Sequence, residues 1–217
     1  LLASSKPFRE KPPAMPKSSH PPVLGHTRLH AAAGPVSGAF VSLLGEAFYK
    51  ISQADGLEPF FMSVVSSSDH WLFIASTGGL SAGRVNAERA LFPYYTVDKL
   101  TEGSEHTGGK IILLVARGDD VSLWEPFSDC WRGAYRTERN LYKNIPGSAL
   151  VFEESNHDLG LTYRYAWRTS EVFGFVKTAW LINHGPSTCQ VELVDGLQNL
   201  LPANIASSTQ NTYSVLL

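Results

Sequence analysis

Hydrophobic and polar residues alternate most regularly between positions 161 and 168. One face of this segment carries Leu161, Tyr163, Tyr165 and Trp167, and the other carries Thr162, Arg164, Ala166 and Arg168. Because successive side chains of a strand point to opposite faces, this pattern predicts a strand with one aromatic face and one partly basic face.

Short apolar runs separated by turn-forming residues predict most of the remaining structure after residue 60. Three pairs of runs predict hairpins: 60–66 with 71–76, 110–116 with 121–127, and 149–154 with 161–169. Residues 172–183 are almost continuously apolar and predict a strand buried on both faces, and 188–194 predict the last strand. Many short strands and few helices indicate a mostly β fold, an antiparallel β-sandwich.

Different patterns flank this β region. Prolines crowd residues 1–35 and indicate an extended arm or linker. Apolar residues at helical spacing predict a minor helix over 37–51, near the N-terminus. Tyr213, Leu216 and Leu217 share one helical face, so we expect 196–217 to begin a linker helix toward a further domain. The predicted organisation is thus an arm at 1–35, a sandwich at 36–195 and the linker at 196–217.

Composition excludes several classes of partner. The net charge of −2 offers no basic stripe for nucleic acid, and no apolar run reaches the length of about 18 residues that a membrane helix needs. Cys130 and Cys189 are too few for a disulfide framework. We expect two free thiols, as in a reducing compartment, and therefore a cytoplasmic protein.

Motifs for catalysis are absent from the sequence. It contains no nucleophile elbow, no phosphate-binding loop and no metal-ligand spacing, so we predict no cofactor, no metal and no catalytic residue. Carboxyl groups that could serve glycoside chemistry are Glu125, Asp129, Glu138, Glu153, Glu154 and Asp158. Glu153 and Glu154 are adjacent, so only one of them can face a cleft, and solvation at a strand edge is their simpler interpretation.

Two segments combine aromatic and hydrogen-bonding residues in the manner of sugar-binding sites. The candidate binding residues are Arg84, Asn86, Tyr94, Tyr95 and Asp98 in the first segment, and Trp131, Arg132, Tyr135 and Arg136 in the second. The alternative for the first segment is a packed corner in which Arg84 pairs with Glu88 or Asp98. In the alternative for the second, the tryptophans are core residues and the arginines pair with nearby acids.

Three stretches resemble the N-terminal β-sandwich of cellobiose-phosphorylase-like proteins. They are GGLSAGRVNAERALFPYYTVDK at 78–99, FEESNHDLGL at 152–161 continuing through 165–176, and VDGLQNLLP at 194–202. The resemblance implies an antiparallel β-supersandwich of the galactose-mutarotase type, followed by a linker helix and a C-terminal (α/α)6 catalytic domain. In that family the general acid and the phosphate site lie on the (α/α)6 domain, which matches nothing in this chain.

The resemblance therefore implies a non-catalytic domain of a glycoside phosphorylase or hydrolase. Its implied partners are an oligosaccharide, the (α/α)6 domain and a second copy in a homodimer, with neither nucleic acid nor membrane. Two alternatives are a free-standing carbohydrate-binding module, in which the aromatic residues bind glycan directly, and a mutarotase-like sugar epimerase. The epimerase would need a histidine and a glutamate in a concave face, and no sequence motif identifies such a pair.

Overall fold

A computed structural model of the chain describes residues 22–31, 34–202 and 205–212. The strands are β1 (Val23–Leu24), β2 (Thr27–Arg28), β3 (Ser37–Leu43), β4 (Glu46–Ser52), β5 (Phe61–Val64), β6 (His70–Ala75), β7 (Leu80–Arg84), β8 (Ala90–Phe92), β9 (Gly108–Arg117), β10 (Asp120–Trp124), β11 (Thr137–Asn144), β12 (Ala149–Asn156), β13 (Leu161–Ser170), β14 (Gly174–Asn183) and β15 (Gln190–Gln198). The helices are α1 (Val97–Glu102) and α2 (Ser207–Thr212), with 3-10 turns at Ala54–Gly56, Ala87–Arg89 and Gly103–Glu105.

The described strands form antiparallel sheets, so the predicted mostly β class is confirmed. A six-stranded sheet has the order β14-β13-β12-β11-β4-β3, a four-stranded sheet the order β5-β6-β7-β8, and a three-stranded sheet the order β10-β9-β15. β1 and β2 form a small separate hairpin. All three predicted hairpins are present, as β5-β6, β9-β10 and β12-β13.

One hydrophobic core joins the three larger sheets. The six-stranded sheet contributes the aromatic face that alternation predicted for β13, including Tyr163, Tyr165 and Trp167. The four-stranded sheet contributes Leu72 and Ile74, and further core residues come from β9 and β10. The two smaller sheets therefore cover one face of the largest.

The opposite face of the six-stranded sheet carries the predicted basic side chains. The guanidinium of Arg168 lies 6.0 Å from the ring centre of Phe48, and Lys50 lies 5.5 Å from that of Tyr142. Both rings are buried in a second, smaller cluster. Arg168 and Lys50 thus cover aromatic rings on this face, and Arg168 also forms an ion pair with Glu46 at 2.6 Å.

The predicted helix over 37–51 is wrong, because this segment is the hairpin β3-β4. Leu44 and Gly45 connect the strands with φ angles of 54° and 79°. Two successive positive φ angles make a two-residue turn whose twist matches the paired strands. The helical spacing arose because both faces of the hairpin carry apolar residues, among them Phe40 and Phe48.

Burial of residues 172–183 on both faces is also wrong. Among the described strands, β14 is an edge strand that pairs only with β13, and much of its surface is exposed. Just before it, Val172 and Phe173 are 82% and 80% exposed. Continuous apolar sequence therefore marks an apolar surface here rather than an interior strand.

Parts of the predicted arm and linker fall outside the described residues, namely 1–21, 32–33, 203–204 and 213–217, including Tyr213, Leu216 and Leu217. The described part of the arm contains β1 and β2, and the backbone N–H of His30 donates to the carbonyl of Gly133 at 2.8 Å. At the other end, β15 extends to Gln198, and the short helix α2 follows. Cys130 and Cys189 are free thiols, as expected.

Gly79 allows the segment after β6 to pack tightly against α1. A Cβ at this position would lie 2.1 Å from the carbonyl oxygen of Leu100. The hydroxyl of Thr77 donates to the carbonyl of Thr101 at 3.2 Å, and that of Ser81 donates to the carbonyl of Pro93 at 2.7 Å. These contacts fix the loop that carries the first set of candidate binding residues.

Candidate functional site

The first candidate set lies on the surface around β7, β8 and α1. Arg84 ends β7, Asn86 precedes the 3-10 turn, and Asp98 lies in the first turn of α1, and all three are exposed. Tyr94 is 58% exposed and its ring meets that of Trp71 edge-on at 5.6 Å, whereas Tyr95 is half-buried.

The corner between β7 and α1 matches its packed alternative in part. Phe92 is buried and Leu91 packs against the main core. The proposed ion pair is absent, because Arg84 contacts neither Glu88 nor Asp98 in the described part of the chain. Arg84 instead lines a small apolar cavity with Trp167.

The second candidate set lies in the loop between β10 and β11, and each member has a partner. Trp131 donates from Nε1 to Glu125 at 2.8 Å, and Tyr135 donates to the carbonyl of Leu123 at 2.7 Å. The Nε of Arg136 donates to Asp158 at 2.6 Å. Arg132 lines a cavity of small-molecule size, and no described contact joins the two candidate sets.

We call this space the Arg132 cavity. It has a volume of about 340 Å³, within the range of small-molecule pockets. Its lining is Ala54, Asp55, Gly56, Leu57, Glu58, Pro59, Ser76, Thr77, Phe127, Asp129, Arg132, Arg139, Asn140, Leu141 and Phe152. Carboxylates and guanidinium groups thus share the wall with aromatic rings and aliphatic side chains.

Asp55 and Arg132 form the polar side of the cavity. The Nη2 of Arg132 donates to the carbonyl of Asp55 at 3.1 Å and lies 3.6 Å from its Oδ2. The other carboxylate oxygen of Asp55, Oδ1, is buried and has no hydrogen-bond partner in the described chain. A buried oxygen without a partner is costly, so it favours a ligand or water that donates a hydrogen bond.

A buried ion pair supports the wall of the cavity from behind. Glu154 accepts hydrogen bonds from Nε1 of Trp124 at 3.0 Å, from the backbone N–H of Phe127 at 2.7 Å and from Nε of Arg139 at 2.8 Å. Arg139 also donates to Asp129 at 2.9 Å. Burial opposes the charge on Arg139, but Glu154 and Asp129 outweigh it and raise the pKa of Arg139.

Phe127 adopts a left-handed backbone conformation at this wall, with a φ of 66°. Such a conformation is unfavourable for a residue with a Cβ and persists where surrounding contacts impose it. Here the contacts are the hydrogen bond to Glu154 and the packing of the ring, 5.3 Å from that of Tyr165. The position of this ring in the cavity is therefore set by buried interactions.

The interpretation of Glu153 and Glu154 as solvated strand-edge residues is wrong. Both are buried, at 6% and 2% exposure, on the interior strand β12. They point to opposite faces, as their adjacency predicted. Glu153 pairs with Arg164 and accepts a hydrogen bond from Tyr142 at 2.6 Å.

Several residues of the Arg132 cavity were not among the candidate binding residues. Asp55 is 77 positions away from Arg132 in sequence, so no local pattern joins them. Asp129 was noted only as a carboxyl group for glycoside chemistry. The pair of Arg139 with Glu154 could have been found from β-sheet register, since the two residues are direct partners in β11 and β12. That signal was missed because no strand was predicted between residues 127 and 149.

Comparisons of the chain with protein-family models and with curated protein sequences give no match. Within the described ranges, no helix is both long and apolar enough to cross a membrane. The same residues contain no group of three or more histidine, cysteine, aspartate or glutamate side chains that could hold a metal ion.

Proposed function

We propose that this chain is a non-catalytic β-sandwich domain of a multidomain carbohydrate-active enzyme, a glycoside phosphorylase or hydrolase. In this proposal the domain has the supersandwich architecture of cellobiose-phosphorylase-like proteins, contributes a glycan subsite and supports oligomerisation. Its free thiols fit a cytoplasmic location. The chain alone neither hydrolyses nor phosphorolyses glycosidic bonds, since the family holds the catalytic acid and the phosphate on another domain.

The Arg132 cavity is the observation that carries the glycan assignment. A sugar ring has hydroxyls that both donate and accept hydrogen bonds, and apolar C–H faces. The cavity offers the acceptor Asp55, the donor Arg132 and the ring of Phe127. Its carboxylates make a neutral polyhydroxylated ligand a better match than a phosphate or another anion.

An apolar surface supports the assignment to a larger assembly. On the outer side of the three-stranded sheet, Ile112, Leu114, Val121, Leu123 and Val194 are 40%, 41%, 65%, 43% and 71% exposed. The register brings Leu114 beside Leu123, and Ile112 beside Val194, so the exposed residues are contiguous. Contiguous apolar surface of this kind is typical of a face that another domain or subunit covers.

A free-standing carbohydrate-binding module is the second candidate, because the Arg132 cavity is built entirely by this chain. The apolar sheet face favours the multidomain assignment over it. The epimerase alternative gains no support at this cavity, whose described lining contains no histidine.

Binding of cellobiose and cellotetraose to the full chain, measured by isothermal titration calorimetry, tests the proposed subsite. Replacing Arg132 by Met removes a charged donor, and we expect affinity to fall about tenfold or more, because a hydrogen bond to a charged group contributes about 1.5–3 kcal/mol. Arg89→Met is the matched control, since Arg89 is exposed and lines neither described cavity. No saturable binding, or equal affinity in both variants, would exclude this subsite.

A further inference from the structure

A second cavity lies against β13, and we call it the Trp167 cavity. Its volume is about 280 Å³. The lining is His70, Leu72, Ala82, Arg84, Leu91, Phe92, Trp167, Phe173, Phe175, Leu197 and Leu200. The walls therefore come from β6, β7, β8 and β13, from the residues around the start of β14, and from the end of β15 with the segment after it.

Trp167 supplies a hydrogen-bond donor that has no acceptor. The residue is 4% exposed, and its Nε1 is buried without a hydrogen-bond partner in the described chain. Buried indole N–H groups normally find a partner, because leaving one unpaired costs free energy. An acceptor carried by a ligand in this cavity would supply the missing partner.

Arg84 supplies a positive charge at the same cavity. Within the described chain its side chain forms no ion pair and no hydrogen bond, although Glu88 and Asp98 lie in the same loop region. Arginine binds carboxylates well, because its planar group presents parallel N–H donors. No aspartate or glutamate is among the cavity's described lining residues.

The remaining wall is apolar and partly aromatic. Phe175 meets the ring of His70 edge-on at 5.8 Å, and Phe92 and Leu72 are buried beside them. A hydrogen bond of 2.8 Å from the backbone N–H of Leu201 to the carbonyl of Leu91 holds the segment after β15 against β8. The cavity thus has fixed walls on several sides.

Two exposed side chains mark the mouth of the cavity. Phe173 is 80% exposed and Leu200 is 58% exposed, although both line the space. A ligand with an apolar body would cover these groups from water, which favours its binding by the hydrophobic effect.

We propose that the Trp167 cavity binds a small organic carboxylate with an apolar body, with the carboxylate on Arg84 and on Nε1 of Trp167. The two donors match a carboxylate, and the aliphatic and aromatic walls match an apolar body. A free sugar fits less well, because most of its hydroxyls would face apolar groups. This site is separate from the glycan subsite and does not depend on it.

The test uses 2-naphthoate as the probe and 2-naphthalenemethanol, which has the same ring system without the charge, as its neutral counterpart. Calorimetry with the full chain should show saturable binding of 2-naphthoate, at least about tenfold tighter than binding of the alcohol. The affinity should fall as the salt concentration is raised, since salt screens the attraction to Arg84.

Three variants assign the binding to the two donors. Arg84→Met should weaken 2-naphthoate binding about tenfold, equivalent to about 1.4 kcal/mol, and should leave the alcohol unaffected. Trp167→Phe should weaken binding of both ligands, because the alcohol oxygen can also accept a hydrogen bond from Nε1. Arg89→Met, with the same change in net charge, should have no effect. Circular dichroism melting curves establish that each variant is folded, and Arg84→Met, at an exposed position, keeps the test valid if Trp167→Phe does not fold.

Failure of 2-naphthoate to bind refutes the proposal. That result is expected if side chains of the protein itself fill the cavity. The proposal is also refuted if acid and alcohol bind equally, or if Arg89→Met weakens binding as much as Arg84→Met. Loss of cellobiose binding in Arg132→Met tests only the glycan subsite, so the two proposals succeed or fail independently.

Discussion

Replacement of Glu154 by Gln should destabilise the protein strongly while keeping the size of the side chain. Both carboxylate oxygens of Glu154 are occupied by donors, from Trp124, Phe127 and Arg139. An amide supplies one acceptor and two donors, so an N–H group would face at least one of these donors. Arg139 would also lose its buried ion-pair partner.

The expected loss is large because Glu154 is only 2% exposed. Breaking a buried ion pair by removing one partner costs about 3–5 kcal/mol. Arg139 retains Asp129 at 2.9 Å, and Asp129 is exposed, so we expect a loss near the lower end of that range. A loss of about 3 kcal/mol is a large fraction of the stability of a typical domain, about 5–15 kcal/mol.

Urea unfolding followed by circular dichroism measures this loss as a lower midpoint with an unchanged slope. Glu88→Gln is the control, because Glu88 is exposed, and its effect should stay within about 0.5 kcal/mol. The double variant Glu154→Gln with Arg139→Met should be less destabilised than the sum of the single variants, since it leaves no unpaired buried charge. A loss below about 1 kcal/mol for Glu154→Gln would refute the reasoning.

Three further changes test the packing, the electrostatics and the turn. Gly79→Ala should lower the free energy of unfolding by about 1–3 kcal/mol in urea, because its Cβ would meet the carbonyl of Leu100 at 2.1 Å, whereas Gly103→Ala meets nothing within 4 Å. Burial opposes ionisation of Glu153, but hydrogen bonds from Tyr142 and Arg164 outweigh it and lower its pKa. The stabilisation that Glu153 contributes should therefore be complete above pH 4.5 and should be lost as the pH falls through its lowered pKa. The Glu153→Gln variant should lose less of its free energy of unfolding over the same acid range. Leu44→Asn should raise the melting temperature, since asparagine suits positive φ and forms an Asn-Gly turn with Gly45.

Each of these expectations has an outcome that contradicts it. Equal stability of the Gly79 and Gly103 variants would show that α1 moves away at little cost. An acid transition that is identical with and without Glu153 would assign the pH dependence to other carboxylates. A lower melting temperature in Leu44→Asn would mean that contacts of the leucine side chain outweigh the preference of its backbone.

Local pattern predicted the hairpins and the two faces of β13, because strict alternation and turn residues act within a few positions. It failed at 37–51, where Phe40 and Tyr49 contact each other across two strands at 5.1 Å. That contact depends on strand pairing, which a helical period through Phe40, Ala47 and Phe48 does not reveal. The exposed edge position of β14 likewise depends on sheet order, which hydrophobicity alone does not reveal.

The candidate site was predictable only in its residue types. Arg132 was selected because it lies among aromatic residues in a polar loop, yet its partner Asp55 comes from a distant 3-10 turn. The cavity needs the loop before β11 and the turn after β4 to meet, which is a consequence of the sheet order β11-β4. Sequence reasoning without that order grouped Arg132 with Trp131 and Arg136, whose side chains are bound elsewhere.

Backbone strain and side-chain packing oppose each other at Phe127. Its left-handed conformation suits glycine, and a residue with a Cβ pays about 1–2 kcal/mol there. A glycine would remove that penalty, but it would also remove the ring that packs on Phe152 and lines the Arg132 cavity. Because removing a packed phenylalanine ring costs about 3–5 kcal/mol, more than the relaxed backbone returns, selection for stability keeps Phe127 and, with it, this wall of the pocket.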